Sequence, residues 1–178
     1  MFVKIPKLHL IIHNSNKVTI GNVSTFGRKG EEFGKTLKKL YWVHPEGKTY
    51  GAAVAQCRAE GGKLAEPTSA QANNELVALA RTISFAPFPA NWGAVWLGIK
   101  RRSDGRFKYE SNGQNVGYTN WFPDTGEPNN ILGAENCVCL YSLARFLWCD
   151  AVCPYMNSFI CERGKYNHQL FITIKSHI

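Results

Sequence analysis

The chain reads as a single α+β domain in which two helices come early, short strands follow, and a long irregular segment lies near the end. Three observations predict this. Two capped stretches with helical spacing fall between residues 49 and 81, apolar and aromatic runs of three to five residues follow them, and residues 112–136 carry little periodicity but much Gly, Pro, Asn and Asp. At 178 residues, with 44% apolar side chains and five Trp, the chain is long and apolar enough to bury one ordinary core.

Taken in order, residues 1–36 form a basic extension rich in Lys, Gly and Asn, with one strand-like alternation at Val18-Thr19-Ile20 and few large apolar residues to anchor a core. The domain is expected over residues 37–163, followed by a tail at 164–178. Leu40-Tyr41-Trp42-Val43 predicts a strand, Pro45-Glu46-Gly47-Lys48 a turn, and Thr49 the cap of a helix through Ala52, Ala53, Ala55 and Arg58 that ends at Gly61-Gly62. A second helix starts near Thr68-Ser69, where Thr68 and Gln71 have capping-box spacing, and carries Leu76, Val77, Leu79 and Ala80 toward Arg81. Pro87, Pro89 and Gly93 enforce a loop before Val95-Trp96-Leu97-Gly98-Ile99, a buried strand. Asp104-Gly105 turns into Phe107-Lys108-Tyr109, and Val138-Cys139-Leu140-Tyr141, Phe146-Leu147-Trp148 and Phe159-Ile160-Cys161 supply three more strands.

The net charge of +8 does not argue for nucleic acid, because residues 1–40 hold +6 of it, residues 164–178 hold +2, and residues 41–163 are balanced. The run Lys100-Arg101-Arg102 inside the central segment is expected to be a solvated loop. No stretch is long and apolar enough to span a bilayer: Leu8 to Ile12 is interrupted by His9 and closed by His13 and Asn14. The N-terminus shows no clear signal peptide, and Asn22-Val23-Ser24 is a formal glycosylation sequon that weighs little alone. Six cysteines, Cys57, Cys137, Cys139, Cys149, Cys153 and Cys161, are an even set compatible with disulfides or with a metal.

The chemistry concentrates between Glu127 and Cys161. Calcium takes about six to eight oxygen ligands and prefers carboxylates and amide carbonyls. Glu127, Asn129, Glu135 and Asp150 offer such groups. If the Glu127–Pro128 bond is cis, the side chains of Glu127 and Asn129 can face one point.

An ordered series extends this local pattern: Cys57, Val95-Trp96-Leu97-Gly98-Ile99, Tyr118-Thr119-Asn120-Trp121, Glu127-Pro128-Asn129, Glu135-Asn136-Cys137, Trp148-Cys149-Asp150, Cys153 and Cys161. Over residues 38–163 the chain resembles the C-type lectin-like domain, in particular its mannose-binding, collectin-like members. The resemblance implies two helices with small antiparallel sheets and a long calcium-binding loop region, stapled by Cys57–Cys161 and Cys137–Cys153. It implies one calcium ion on Glu127, Asn129, Glu135 and Asp150, with the same side chains hydrogen-bonding two vicinal sugar hydroxyls. The Glu-Pro-Asn order goes with equatorial 3- and 4-hydroxyls, as in mannose, N-acetylglucosamine or fucose. The implied role is calcium-dependent, extracellular glycan recognition or innate defence, by a secreted chain that gains avidity as a homo-oligomer.

Two departures qualify that expectation. Cys149 replaces an Asn that would give calcium an oxygen and the sugar a donor, and sulfur is a soft ligand for a hard cation. An auxiliary calcium site is damaged, since Arg101 stands where an acid is expected and Asn130 replaces another. Cys139 and Cys149, outside the family's four cysteines, form a third disulfide by elimination or remain free thiols. The rival reading is a domain of the same fold that has lost calcium-dependent sugar binding and recognises protein or another surface through Trp121, Phe122, Ile131 and Leu132. A zinc module from Cys137, Cys139, Cys149 and Cys153 leaves Cys57 and Cys161 over. An enzyme lacks a plausible set: His9, His13, His168 and His177 lie in the flanks, His44 precedes a proline, and Asp124 with Glu127 belongs to the binding loop.

Overall fold

The structure, a computed structural model, describes residues 39–164. The expected extension at 1–36 and all but the first residue of the tail lie outside the described residues. The element order is β1 (Leu40–Lys48), α1 (Tyr50–Ala59), β2 (Lys63–Leu64), α2 (Ala70–Ala80), β3 (Ala94–Arg101), β4 (Phe107–Tyr109), β5 (Glu135–Tyr141), β6 (Leu147–Val152) and β7 (Asn157–Arg163). This is the two-helix α+β arrangement expected from the sequence.

The sheet runs β1-β7-β3-β5-β6, with β2 on β7 and β4 on β3. Its pairs are antiparallel except β3 with β7, which run parallel with Trp96 opposite Phe159. That parallel pair fuses an N- and C-terminal ribbon, β1 with β7, to the ribbon of β3, β5 and β6. Gly98 permits the crossing beneath it. A Cβ there would meet Leu64 O and Glu66 Cγ at 2.8 Å, while the Gly98 amide donates to Ala65 O at 2.8 Å.

Period-two alternation divides the core between the sheet's faces. On one face Trp96, Cys137, Cys139, Phe159 and Cys161 pack with Tyr50, Ala53, Val54 and Cys57 of α1. On the other, Val95, Leu97, Ile99, Val138, Leu140, Trp148 and Ile160 pack with Leu76, Leu79 and Ala80 of α2. The two fully buried indoles are polar-satisfied: Trp96 Nε1 donates to Lys48 O and Trp148 Nε1 to Asn73 Oδ1, each at 2.8 Å.

Local readings shifted in three places. Pro45–Lys48 belongs to β1, where the register with β7 breaks between His44 and Lys48, so the turn residues are accommodated as a strand irregularity. The cap of α2 is Ser69, whose side chain accepts from Ala72 N, and the Thr68–Gln71 spacing is one residue out of frame. Arg101 is not in a solvated loop. It is the last residue of β3, pairs with Phe107 of β4, and its side chain is only 18% exposed.

Candidate functional site

Three disulfides lie on the α1 side of the sheet or across it. Cys57–Cys161 ties α1 to β7 and Cys137–Cys153 closes the segment after β6, with Cα separations of 5.4 and 5.3 Å. Cys139 and Cys149, directly opposite one another on β5 and β6, form the third at a Cα separation of 5.4 Å. The sequence left that pair open. With all six cysteines bonded, none is available to a zinc ion.

The long segment is laced to β6. Trp148 N donates to Asn120 O, Phe122 N to Trp148 O, and Glu127 N to Phe122 O, at 2.8, 2.9 and 3.2 Å. Trp121 is therefore packing rather than ligand surface: its ring lies 4.9 Å from Phe107 and 5.5 Å from Trp148, centroid to centroid. Farther along, Ile131 and Leu132 are 57% and 98% exposed at the loop tip.

The expected site residues gather around this loop. The Glu127–Pro128 bond is cis, and Asn129 Nδ2 donates to Glu127 Oε1 at 2.8 Å, so the two side chains face one point. Thr125 Oγ1 donates to the same oxygen at 3.0 Å, and Asp150 N donates to Glu127 Oε2 at 3.2 Å. Glu135 Oε2 and Asn129 Oδ1 both accept from Ile131 N, at 2.9 and 3.2 Å. Asn130, at φ 47°, bends the chain and accepts from Glu135 N at 3.2 Å. Burial pushes the Glu127 carboxyl up to about 7, with the neighbouring Asp150 carboxylate acting the same way. Burial also holds Glu135 above the usual carboxylate range.

Asp150 and Cys149 part company. Alternation along β6 sends Asp150 to the α2 face with Trp148 and leaves Cys149 packed toward the α1 face, in its disulfide. The Asp150 side chain is 0% exposed and both of its oxygens are engaged. Oδ1 accepts from Asn129 N at 3.0 Å, and Oδ2 accepts from Asn130 N at 3.1 Å and from Arg101 Nη2 at 2.5 Å. The Arg101 guanidinium also lies over the Phe107 ring, 4.4 Å from its centroid.

This donor set does not fit the four-residue calcium shell expected from the sequence. Asp150 already has an organic cation and two amides, the Cys149 side chain offers no oxygen, and of the expected four only Glu127, Asn129 and Glu135 remain. Among the His, Cys, Asp and Glu side chains of the described residues, one trio brings its ligand atoms within 4.8 Å of one another, His44, Glu60 and Cys161, and it fails as a metal site because Cys161 is bonded to Cys57. Among the described residues, no helix is long and apolar enough to cross a membrane.

Arg101 is the residue beside the site whose placement the sequence misjudged. The signal was present: Val95, Leu97 and Ile99 face α2, so the next odd position, 101, faces the same side, where Trp148 and Asp150 also point.

Comparison with known proteins places the whole arrangement. Residues 46–163 match the family model described as Lectin C-type domain. The chain is 35% identical over 122 residues to Salivary C-type lectin 2 of Aedes albopictus, covering 66% of this chain and 78% of that protein. It is 30% identical over 129 residues to Collectin-10 of Homo sapiens, covering 72% of this chain and 43% of the collectin, so it spans less than half of that relative. The cow C-type carbohydrate-recognition domain of CD23, solved in the presence of a GlcNAc2Man3 oligosaccharide, superposes with a TM-score of 0.59 at 26% identity, covering 76% of this chain and 98% of that one.

Proposed function

This chain belongs to the C-type lectin domain family, and from that premise we propose that it is an extracellular carbohydrate-recognition module and not a catalyst. Its sugar-facing residues are Glu127 and Asn129, presented by the loop between β4 and β5, and Glu135, the first residue of β5. The observation that carries the reading is the pairing of Asn129 Nδ2 with Glu127 Oε1 at 2.8 Å, which sets a donor and an acceptor side by side at a half-exposed surface. A vicinal diol can insert there, one hydroxyl donating to the Glu127 carboxylate and the other accepting from the Asn129 amide. The Glu-Pro-Asn order supports a preference for equatorial 3- and 4-hydroxyls, hence mannose, N-acetylglucosamine or fucose over galactose.

The magnitudes favour a weak single site. A hydrogen bond to an ionised group nets about 1.5–3 kcal/mol and a neutral one about 0.5–1.5 kcal/mol, so the two together give about 2–4.5 kcal/mol, a dissociation constant on the order of millimolar to tens of millimolar. Useful retention then rests on several copies acting together, which can multiply avidity by roughly 10²–10⁴. That supports a homo-oligomer engaging repeated glycans, in keeping with a role in defence.

Calcium would add a hard Lewis acid, but Glu127, Asn129 and Glu135 alone fall short of the roughly six to eight oxygen ligands it takes. The expected fourth, Asp150, is committed to Arg101. We therefore carry sugar recognition through hydrogen bonds alone.

A second reading, recognition of a protein or an extended glycan, is favoured by Leu132, an apolar side chain 98% exposed beside the site. The test is retention of the full chain on a mannose-rich matrix, prepared under oxidising conditions, with free mannose and free galactose as competitors and with and without a calcium chelator. Elution by mannose but not galactose is the expected result, with little change on chelation. No mannose-competed retention in either condition overturns the sugar reading in favour of the second.

A further inference from the structure

The buried pair at the root of the loop has a role that reaches beyond sugar binding. Asp150 is on β6 and Arg101 on β3, with β5 between them, so the guanidinium spans two strand spacings, roughly 10 Å, to meet the carboxylate. A carboxylate as buried as Asp150 needs charge compensation, because an isolated buried ion is strongly disfavoured. Two loop amides, Asn129 N and Asn130 N, supply partial dipoles at 3.0 and 3.1 Å, and Arg101 supplies the full positive charge at 2.5 Å.

We propose that Arg101 is a built-in counter-ion that keeps the recognition loop assembled without a metal. Its guanidinium neutralises Asp150, the Asp150 carboxylate then holds the Asn129 and Asn130 amides, and Asp150 N holds Glu127 Oε2, so one residue on β6 anchors both sides of the Glu127–Asn129 point. The arginine is placed for this by Phe107, directly across from it on β4, and it accepts the burial of an Nε without a partner. Because the positive charge belongs to the chain itself, this anchor is insensitive to metal supply in a way that a carboxylate cluster cannot be. Arg101 is a positioning residue: it touches Asp150, and Asp150 touches the loop.

The test needs no ligand and stands apart from the glycan reading. Amide hydrogen exchange is followed in the full chain, oxidised, in calcium and in chelator. In the wild type the Asn129 and Asn130 amides are expected to be equally protected in both. Arg101→Met, of similar length but uncharged, is expected to speed their exchange by about tenfold or more while the amides of Trp96 and Ile160 in the core stay protected. Arg101→Lys, which restores the charge, is expected to recover most of that protection. Loss of wild-type protection on chelation overturns the proposal, and so does a Met variant as protected as the wild type. Should Arg101→Met unfold the domain, as the core amides would reveal, the wild-type comparison and the Lys variant decide alone: a Lys variant with unprotected loop amides and a protected core also overturns it.

Discussion

The two faces of the sheet are secured by different forces. On the α1 side, Trp96, Phe159 and Tyr50 pack around three disulfides, so apolar burial and covalent links dominate there. On the α2 side the apolar core of Val95, Leu97, Ile99 and Trp148 gives way, two residues further along each strand, to Arg101 and Asp150 and then to the loop. One face resists change because cross-links and burial tolerate solvent conditions. The other ends in an ion pair that fixes a loop through a handful of polar contacts, so a few atoms there decide what the loop binds and on what terms.

Breaking the covalent face has the largest expected effect. Replacing Cys57 and Cys161 by Ala opens a loop of 104 residues, and the chain-entropy model puts the loss at about 4–5 kcal/mol. Denaturant unfolding under non-reducing conditions measures it, and a loss below about 1 kcal/mol would mean that packing of α1 alone secures that face. Cys139→Ser with Cys149→Asn acts on the boundary between the faces. Opening a loop of 10 residues costs about 2–3 kcal/mol by the same model. It also returns an amide oxygen to position 149. Because Asp150 remains paired with Arg101, mannose-competed retention should change little on adding calcium. A large calcium-dependent gain would show that the sulfur, rather than the arginine, is what keeps a metal out.

These contrasts explain which parts of the molecule were legible in the sequence. Both helices, the Val95–Ile99 strand and the strands around Cys139, Trp148 and Cys161 announced themselves through caps and periodicity, which are local signals. Glu127, Asn129, Glu135 and Asp150 stood out as oxygen ligands by type and spacing, and all four do converge on one loop. What spacing could not convey was their partners. A Lys-Arg-Arg run looks like solvated charge because charge runs usually are, and only the strand alternation, extended two residues past Ile99, turns Arg101 inward. The Cys139–Cys149 bond likewise depends on hairpin register, set by an irregular turn with Arg145 and Phe146 at positive φ, which composition does not encode.

The smallest expected effect separates loop energetics from loop chemistry and concerns Glu127. Its carboxyl is raised from the ordinary 4.5 to about 7 by burial and by Asp150. A group that binds its proton more tightly in the folded state stabilises the fold at low pH, so this contribution is present below about 4.5 and is lost as pH rises through about 7. Glu127→Gln removes the ionisation. The variant should gain stability relative to the wild type between pH 4 and pH 8, roughly the window in which the wild-type carboxyl loses its proton, as thermal melts across that range would read out. Sugar binding should trend the other way, since the ionised carboxylate is the better acceptor: wild-type retention on mannose rises over the same interval while the Gln variant stays flat. A stability difference that is constant with pH would mean the carboxylate is solvated like an ordinary surface group, and the loop would then be held by Asp150 and its arginine with Glu127 free to meet ligand at any pH.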